Sequence, residues 1–284
     1  MRYHNVPFGL ALVSLLLFAG CTSIISDPAP MASSATTALP VPFAVASVLP
    51  QDADEEEEVW SGLFEAGLSF TGGNTKTRET DAKVEVKADW GEDRFGAYVR
   101  SEWGESQNDD TGEMERHRNR QTAGAKFEHD FSDRLYGYAG LDLEKDEFQD
   151  LRLRATGTVG GGYKVLDEEK HKLNTEVGIG YETSDYYDDD NRDNAVGRFG
   201  ENYEWLISDQ WTFLQTFQLI SNLEEIDDDV RTTTTAELRN QLTENLFLSF
   251  GFEHRYNGEP AVDDMGDRKK RQDWLATIKV GWTF

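Results

Sequence analysis

Apolar side chains recur at every second position along most of this chain, and its last eleven residues show the pattern most clearly. Trp274, Ala276, Ile278, Val280, Trp282 and Phe284 share one parity, while Thr277, Lys279, Gly281 and Thr283 occupy the other. A β-strand sends successive side chains to opposite faces, so this segment is apolar on one side only. Two tryptophans and a terminal phenylalanine on one face suit a strand whose outer side meets lipid, with aromatics at the water–lipid boundary.

The same period runs back to Trp60. Trp60, Gly62, Phe64, Ala66, Leu68 and Phe70 share a face, and Thr71-Gly72-Gly73-Asn74 turns the chain. Ala82, Val84, Val86, Ala88 and Trp90 alternate with Lys83, Glu85, Lys87 and Asp89. Further faces are Phe95 to Trp103, Ala123 to Phe131, Leu135 to Leu143, Leu151 to Val165 and Leu173 to Tyr181. The pattern then continues through Phe199 to Trp205, Trp211 to Leu219, Val230 to Leu238 and Leu246 to Phe252. This predicts about twelve strands, mostly ten to fifteen residues each. Short turns at 91–93, 132–133, 167–170, 208–210 and 243–245 alternate with longer acidic links near 106–114, 145–150, 184–194, 224–229 and 257–269. Membrane barrels have this asymmetry, with short periplasmic turns and longer outer loops. An even strand number places both termini on the periplasmic side.

Hydrocarbon tolerates no open sheet edge, because every backbone N–H and C=O must be paired internally. A run of antiparallel hairpins with one apolar face satisfies this by closing on itself. The expected fold is therefore all-β, a closed antiparallel transmembrane β-barrel over residues 59–284. The lumen is then lined by Lys83, Glu85, Lys87, Glu128, Glu176, Arg198, Glu204, Glu237, Arg239, Glu253, Arg255 and Lys279. Glu237, Arg239, Glu253, Arg255 and Lys279 are expected to pair across neighbouring strands. These charges have two readings: the selectivity lining of a narrow pore, or ion-pair packing that keeps the interior rigid and nearly plugged.

Composition alone would suggest a soluble acidic protein, since the mean hydropathy is -0.63. A barrel's polar lumen face lowers that average, so the value does not exclude membrane strands. The formal charge of -26 argues against nucleic-acid binding, which uses basic patches. The leader reads as an export signal over residues 1–21: Arg2 and His4, an apolar core from Phe8 to Phe18, then Ala19-Gly20-Cys21. Small residues before Cys21 suit lipidation of a bacterial lipoprotein. The competing reading is ordinary cleavage, with Ala44-Val45-Ala46 as one small-x-small site. Residues 22–58, closed by Asp52, Asp54 and Glu55 to Glu58, read as a flexible acidic linker.

Chemistry is sparse. His117, His129, His171 and His254 are scattered, and no metalloprotease, paired Cys/His or nucleophile-elbow motif occurs. His129 and His254 fall on the outward face with no serine beside them. The expectation is a non-enzyme without cofactor or metal. Gly160-Gly161-Gly162 lacks the Lys-Ser/Thr of a phosphate loop and is expected to permit strand curvature or close packing. Acidic clusters at Asp185, Asp188 to Asp190 and Asp193, at Asp227 to Asp229, and at Asp263, Asp264 and Asp267 suit hard cations or simple solvation.

Trp60-Ser61-Gly62-Leu63-Phe64-Glu65-Ala66-Gly67-Leu68-Ser69-Phe70-Thr71-Gly72-Gly73-Asn74-Thr75 resembles the opening of the salt-induced outer-membrane protein family, bacterial barrels of unknown function. The ending Gly281-Trp282-Thr283-Phe284 matches that family's Gly-aromatic-x-Phe strand. The resemblance implies an outer-membrane barrel linked to salt or osmotic response and carries no catalytic residues. In outer-membrane barrels generally such an ending is the assembly signal, which assigns that role to Trp282 and Phe284. Expected partners are outer-membrane lipid, the barrel-assembly machinery and small solutes or cations. Three functions remain: a narrow pore, a structural or surface-interaction barrel with an occluded lumen, and a secreted soluble β-protein.

Overall fold

Period-two segments of this length leave backbone groups unpaired at each flank, and the chain removes those edges by closure. The computed structural model describes residues 60–71, 77–108, 111, 113–187, 190–224, 229–260 and 271–284. The leader with Cys21, the linker to residue 58, the turn at 72–74 and much of the acidic clusters lie outside the described residues.

Twelve strands form one closed antiparallel barrel in chain order. They are β1 (Trp60–Thr71), β2 (Thr77–Asp89), β3 (Asp93–Gln107), β4 (Met114–Asp130), β5 (Leu135–Asp146) and β6 (Leu151–Asp167). The second half comprises β7 (His171–Tyr186), β8 (Arg192–Ser208), β9 (Trp211–Asn222), β10 (Val230–Gln241), β11 (Leu246–Asn257) and β12 (Gln272–Thr283). β1 pairs β12 to close the ring, with Leu63 opposite Thr283 and Phe64 opposite Trp282. Gly62 and Phe284 exchange backbone hydrogen bonds, N–H to O at 2.6 and 3.0 Å. Both ends of the barrel sequence therefore lie at one rim, together with the short turns.

Strands reach 17 residues, longer than the apolar alternation alone predicted. The difference falls at the loop end. The link expected near 145–150 shrinks to one 3-10 turn, Glu147–Gln149, and that expected at 184–194 is largely strand. Beyond a bilayer both faces of a strand meet water, so pairing no longer needs alternating hydrophobicity. Backbone ladders and pairs such as Arg152 with Asp185 (3.2 Å) carry the strands on.

The molecule is inside-out relative to a soluble domain. Val177, Ile179 and Trp274 are 62%, 63% and 70% exposed on the outer face, and most other large apolar side chains point the same way. Continuous exposed apolar surface on this scale would not suit water. At the turn end Trp60 and Trp90 meet edge to face at 5.9 Å, and His171 stacks on Trp205 at 5.8 Å. Among the described residues no helix is long and apolar enough to cross a membrane.

Candidate functional site

The inward parity collects the charges. Lys83, Glu128, Glu176, Glu237, Arg239 and Lys279 are buried there, as are Glu85, Arg198, Glu204 and Glu253, while Lys87 and Arg255 are half-buried. Of the twelve positions expected to line the lumen, ten are thus buried and two half-buried. Their pairing differs from the expectation for the last strands. Arg239 bonds Glu237 on its own strand at 2.6 Å, and Arg255 bonds Glu253 likewise. The longer reaches cross the lumen: Arg239 to Glu65 (3.1 Å), Arg255 to Glu102 (2.9 Å) and Lys279 to Asp81 (2.9 Å). Residues two apart on a strand share a face, and a long cationic side chain lying along the wall meets its own neighbour first. The remaining length of the guanidinium then spans to another strand.

Three clusters fill the lumen. Near the seam, Glu65, Glu237, Arg239, Lys279 and Asp81 tie β1, β2, β10 and β12 together. Lys83 and Lys87 both hold Glu85. In the middle, Glu176 accepts from Lys126, from Arg198 (3.0 Å) and from the Tyr136 hydroxyl (2.8 Å). Arg94 clasps Asp130 with two bonds of 2.7 and 2.6 Å and reaches Glu128 at 3.1 Å. Toward the loops, Arg100, Glu102, Arg120, Glu144, Arg154, Glu182, Arg231 and Glu253 form a continuous net.

The twelve expected positions omit Glu65, Asp81, Arg94, Arg100, Glu102, Lys126 and Arg154. The signal was present, since each has the parity opposite its strand's apolar face. Tyr136 and Tyr138 also point inward, buried. They fit because Gly162 and Gly178 lie opposite; a Cβ on either would overlap a tyrosine ring or hydroxyl. The glycine run thus serves close packing, as expected. Gly162→Val should displace Tyr136 and lower unfolding free energy by about 1–3 kcal/mol, read from urea titration in lipid vesicles.

Above the net a cavity of about 170 Å³ opens at the loop end, lined by Arg120, Arg154, Arg231, Glu144, Glu182 and Tyr256 among others. Ion pairs already join most of these charges. The histidines have partners of another kind: His129 lies 2.8 Å from Asp93, His117 3.1 Å from Glu79 and His171 2.8 Å from the Tyr203 hydroxyl. Of the first acidic cluster, Asp185 pairs Arg152, and the Asn191 side chain accepts from the Tyr186 N–H at 3.3 Å. Among the described residues no group of three or more His, Cys, Asp or Glu is placed to hold a metal ion.

Comparison with solved structures finds likeness of fold alone. The NanC porin matches at 13% identity and TM-score 0.45, covering 78% of this chain and 97% of its own. The translocator domain of the autotransporter NalP from Neisseria meningitidis matches at 12% and 0.43, covering 81% and 90%. The KdgM porin matches at 11% and 0.42, covering 79% and 99%. No curated protein matches the chain. A family model matches residues 64–284, from within β1 to the final phenylalanine, and the chain belongs to that family, described as a protein of unknown function, DUF481.

Proposed function

We propose that this protein is a non-enzymatic outer-membrane barrel whose lumen is occluded at rest and open only as a shallow vestibule on the loop side. One observation carries the reading: Lys83, Lys126, Glu65, Glu102, Glu128, Glu176 and Glu237 are all nearly fully withdrawn from solvent. A water-filled channel would leave lumenal charges wet; here they are neutralised by one another. The exposed apolar belt supports a bilayer over a secreted soluble form. On this reading the short turns and both barrel ends face the periplasm, and residues 1–21 export the chain, with Cys21 either lipidated or removed. Residues 22–58 serve as a spacer. Trp282 and Phe284 present the assembly signal to the barrel-assembly machinery. The vestibule, with charges of both signs, suits small polar solutes or cations. A salt or osmotic role, implied by the family resemblance, would act outside the lumen, because salt screens buried pairs far less.

Planar-bilayer recording tests the occlusion. The refolded protein is expected to insert and give no discrete conductance steps. Regular steps from the unaltered chain would restore the narrow-pore reading. Migration on a denaturing gel tests the barrel itself: an unheated sample should run differently from a heated one, and a soluble periplasmic protein without that shift would end the membrane reading.

A further inference from the structure

The outward face carries an exception that the lumen does not explain. Among the described residues, charged outward side chains such as Arg78, Glu105, Lys145, Asp185 and Asp193 stand within about three residues of a strand end. Glu201 does not. It is nine residues from Arg192 and seven from Ser208 on β8, on the face of Phe199 and Tyr203. Thr175 lies across on β7 and Phe217 across on β9. Phe199 and Phe217 pack at 6.2 Å beside it. On this parity, among the described residues, the neighbouring amide is Gln215, two residues along β9 from Phe217. Neither side chain has a hydrogen-bond or ion-pair partner among the described residues.

Depth brings the two together. Barrel strands tilt about 35–45°, so a hydrogen-bonded row climbs as it crosses the wall. The row through Glu201 starts at Leu135, beside a short turn, and passes Tyr163, Thr175, Phe217, Thr234 and His254 to Trp274 near the loops. A position level with Glu201 on β9 is therefore about one residue nearer the turn than Phe217, between it and Gln215. Glu201 and Gln215 stand at nearly one depth, with an acceptor on one strand and a donor on the next.

Hydrocarbon offers a carboxylate no donor, and an ionisable group at such depth calls for a partner. We propose that the β8–β9 face is a homodimer interface in which Gln215 of each copy donates to Glu201 of the other. A two-fold axis along the membrane normal sets equal depths opposite each other, so a level acceptor–donor pair is self-complementary. Association in lipid is driven by packing and interfacial hydrogen bonds, not by apolar burial, which makes these two polar groups decisive on an otherwise apolar face. The inference rests on the bilayer placement proposed above.

Sedimentation of the full-length chain in detergent micelles, beside the gel-shift assay on the same samples, tests it. The unaltered protein should be dimeric and shift on heating. Glu201→Leu and Gln215→Leu should each keep the shift while weakening dimerisation roughly ten- to hundred-fold. The exchange of both residues, E201Q with Q215E, retains donor and acceptor and should restore the dimer. A monomeric unaltered protein with its heat shift intact would mean that Glu201 faces lipid alone, and the interface would be rejected. Full dimerisation of Glu201→Leu would reject it as well. Absence of any heat shift would instead remove the bilayer placement, and the interface with it.

Discussion

Glu176→Leu is expected to lower the unfolding free energy by about 3–5 kcal/mol, because it strips the shared anion from buried cations. Glu176 is 1% exposed and holds Lys126, Arg198 and the Tyr136 hydroxyl at once. Lys126 would keep Glu128 at 2.8 Å, so the loss falls mainly on Arg198 and Tyr136. Replacing all three charges, with Lys126→Met and Arg198→Leu added, should recover much of the loss, since well-packed apolar residues often equal a buried ion cluster. Glu128 retains Arg94 in that variant. The measurement is urea unfolding in lipid vesicles by tryptophan fluorescence. A cost below about 1 kcal/mol for the single change would mean that water reaches the cluster, as at exposed pairs, and would count against the occluded lumen.

Removing Phe284 should have the second large effect, on assembly. β1 and β12 share five register positions, Leu63–Gly67 against Lys279–Thr283, whereas β11 and β12 share eleven. Phe284 adds two backbone bonds to Gly62 at this short seam, and its ring covers the space above that glycine. Two hydrogen bonds at about 1 kcal/mol each, with about 1 kcal/mol for the covered third of a ring that is 64% exposed, give roughly 3 kcal/mol at the closing strand pair. The lumenal bonds Arg239–Glu65 and Lys279–Asp81 brace the same seam and remain in the variant. A large drop in heat-shifted protein recovered from outer membranes is the expected result. Unchanged levels would refute the assembly role of the chain end.

The strand number and the closure partner were legible in advance, because a lipid-facing wall repeats one rule at every second residue. The charges expected in the lumen, Lys83 through Lys279, have the parity opposite the apolar face, and ten of the twelve are buried. Where alternation stops at the loop end, so does the expected strand, although β7 and β8 run on under backbone pairing. Glu201 was passed over for a related cause: it interrupts the apolar parity of Phe199, Tyr203 and Trp205, and a single break does not cancel a strand.

What the sequence determined by itself is the barrel: period-two patterning fixes faces, turn residues fix hairpins, and hydrocarbon forbids an edge. Only the tertiary structure shows how the charges of the interior are paired. Charges from distant strands meet across the lumen, such as Arg100 with Glu253 at 2.9 Å and Arg239 with Glu65, and tyrosines are seated against glycines of neighbouring strands. Parity tells each side chain which way to point. It carries no information on side-chain length, tilt or shear, and those set who reaches whom inside the wall.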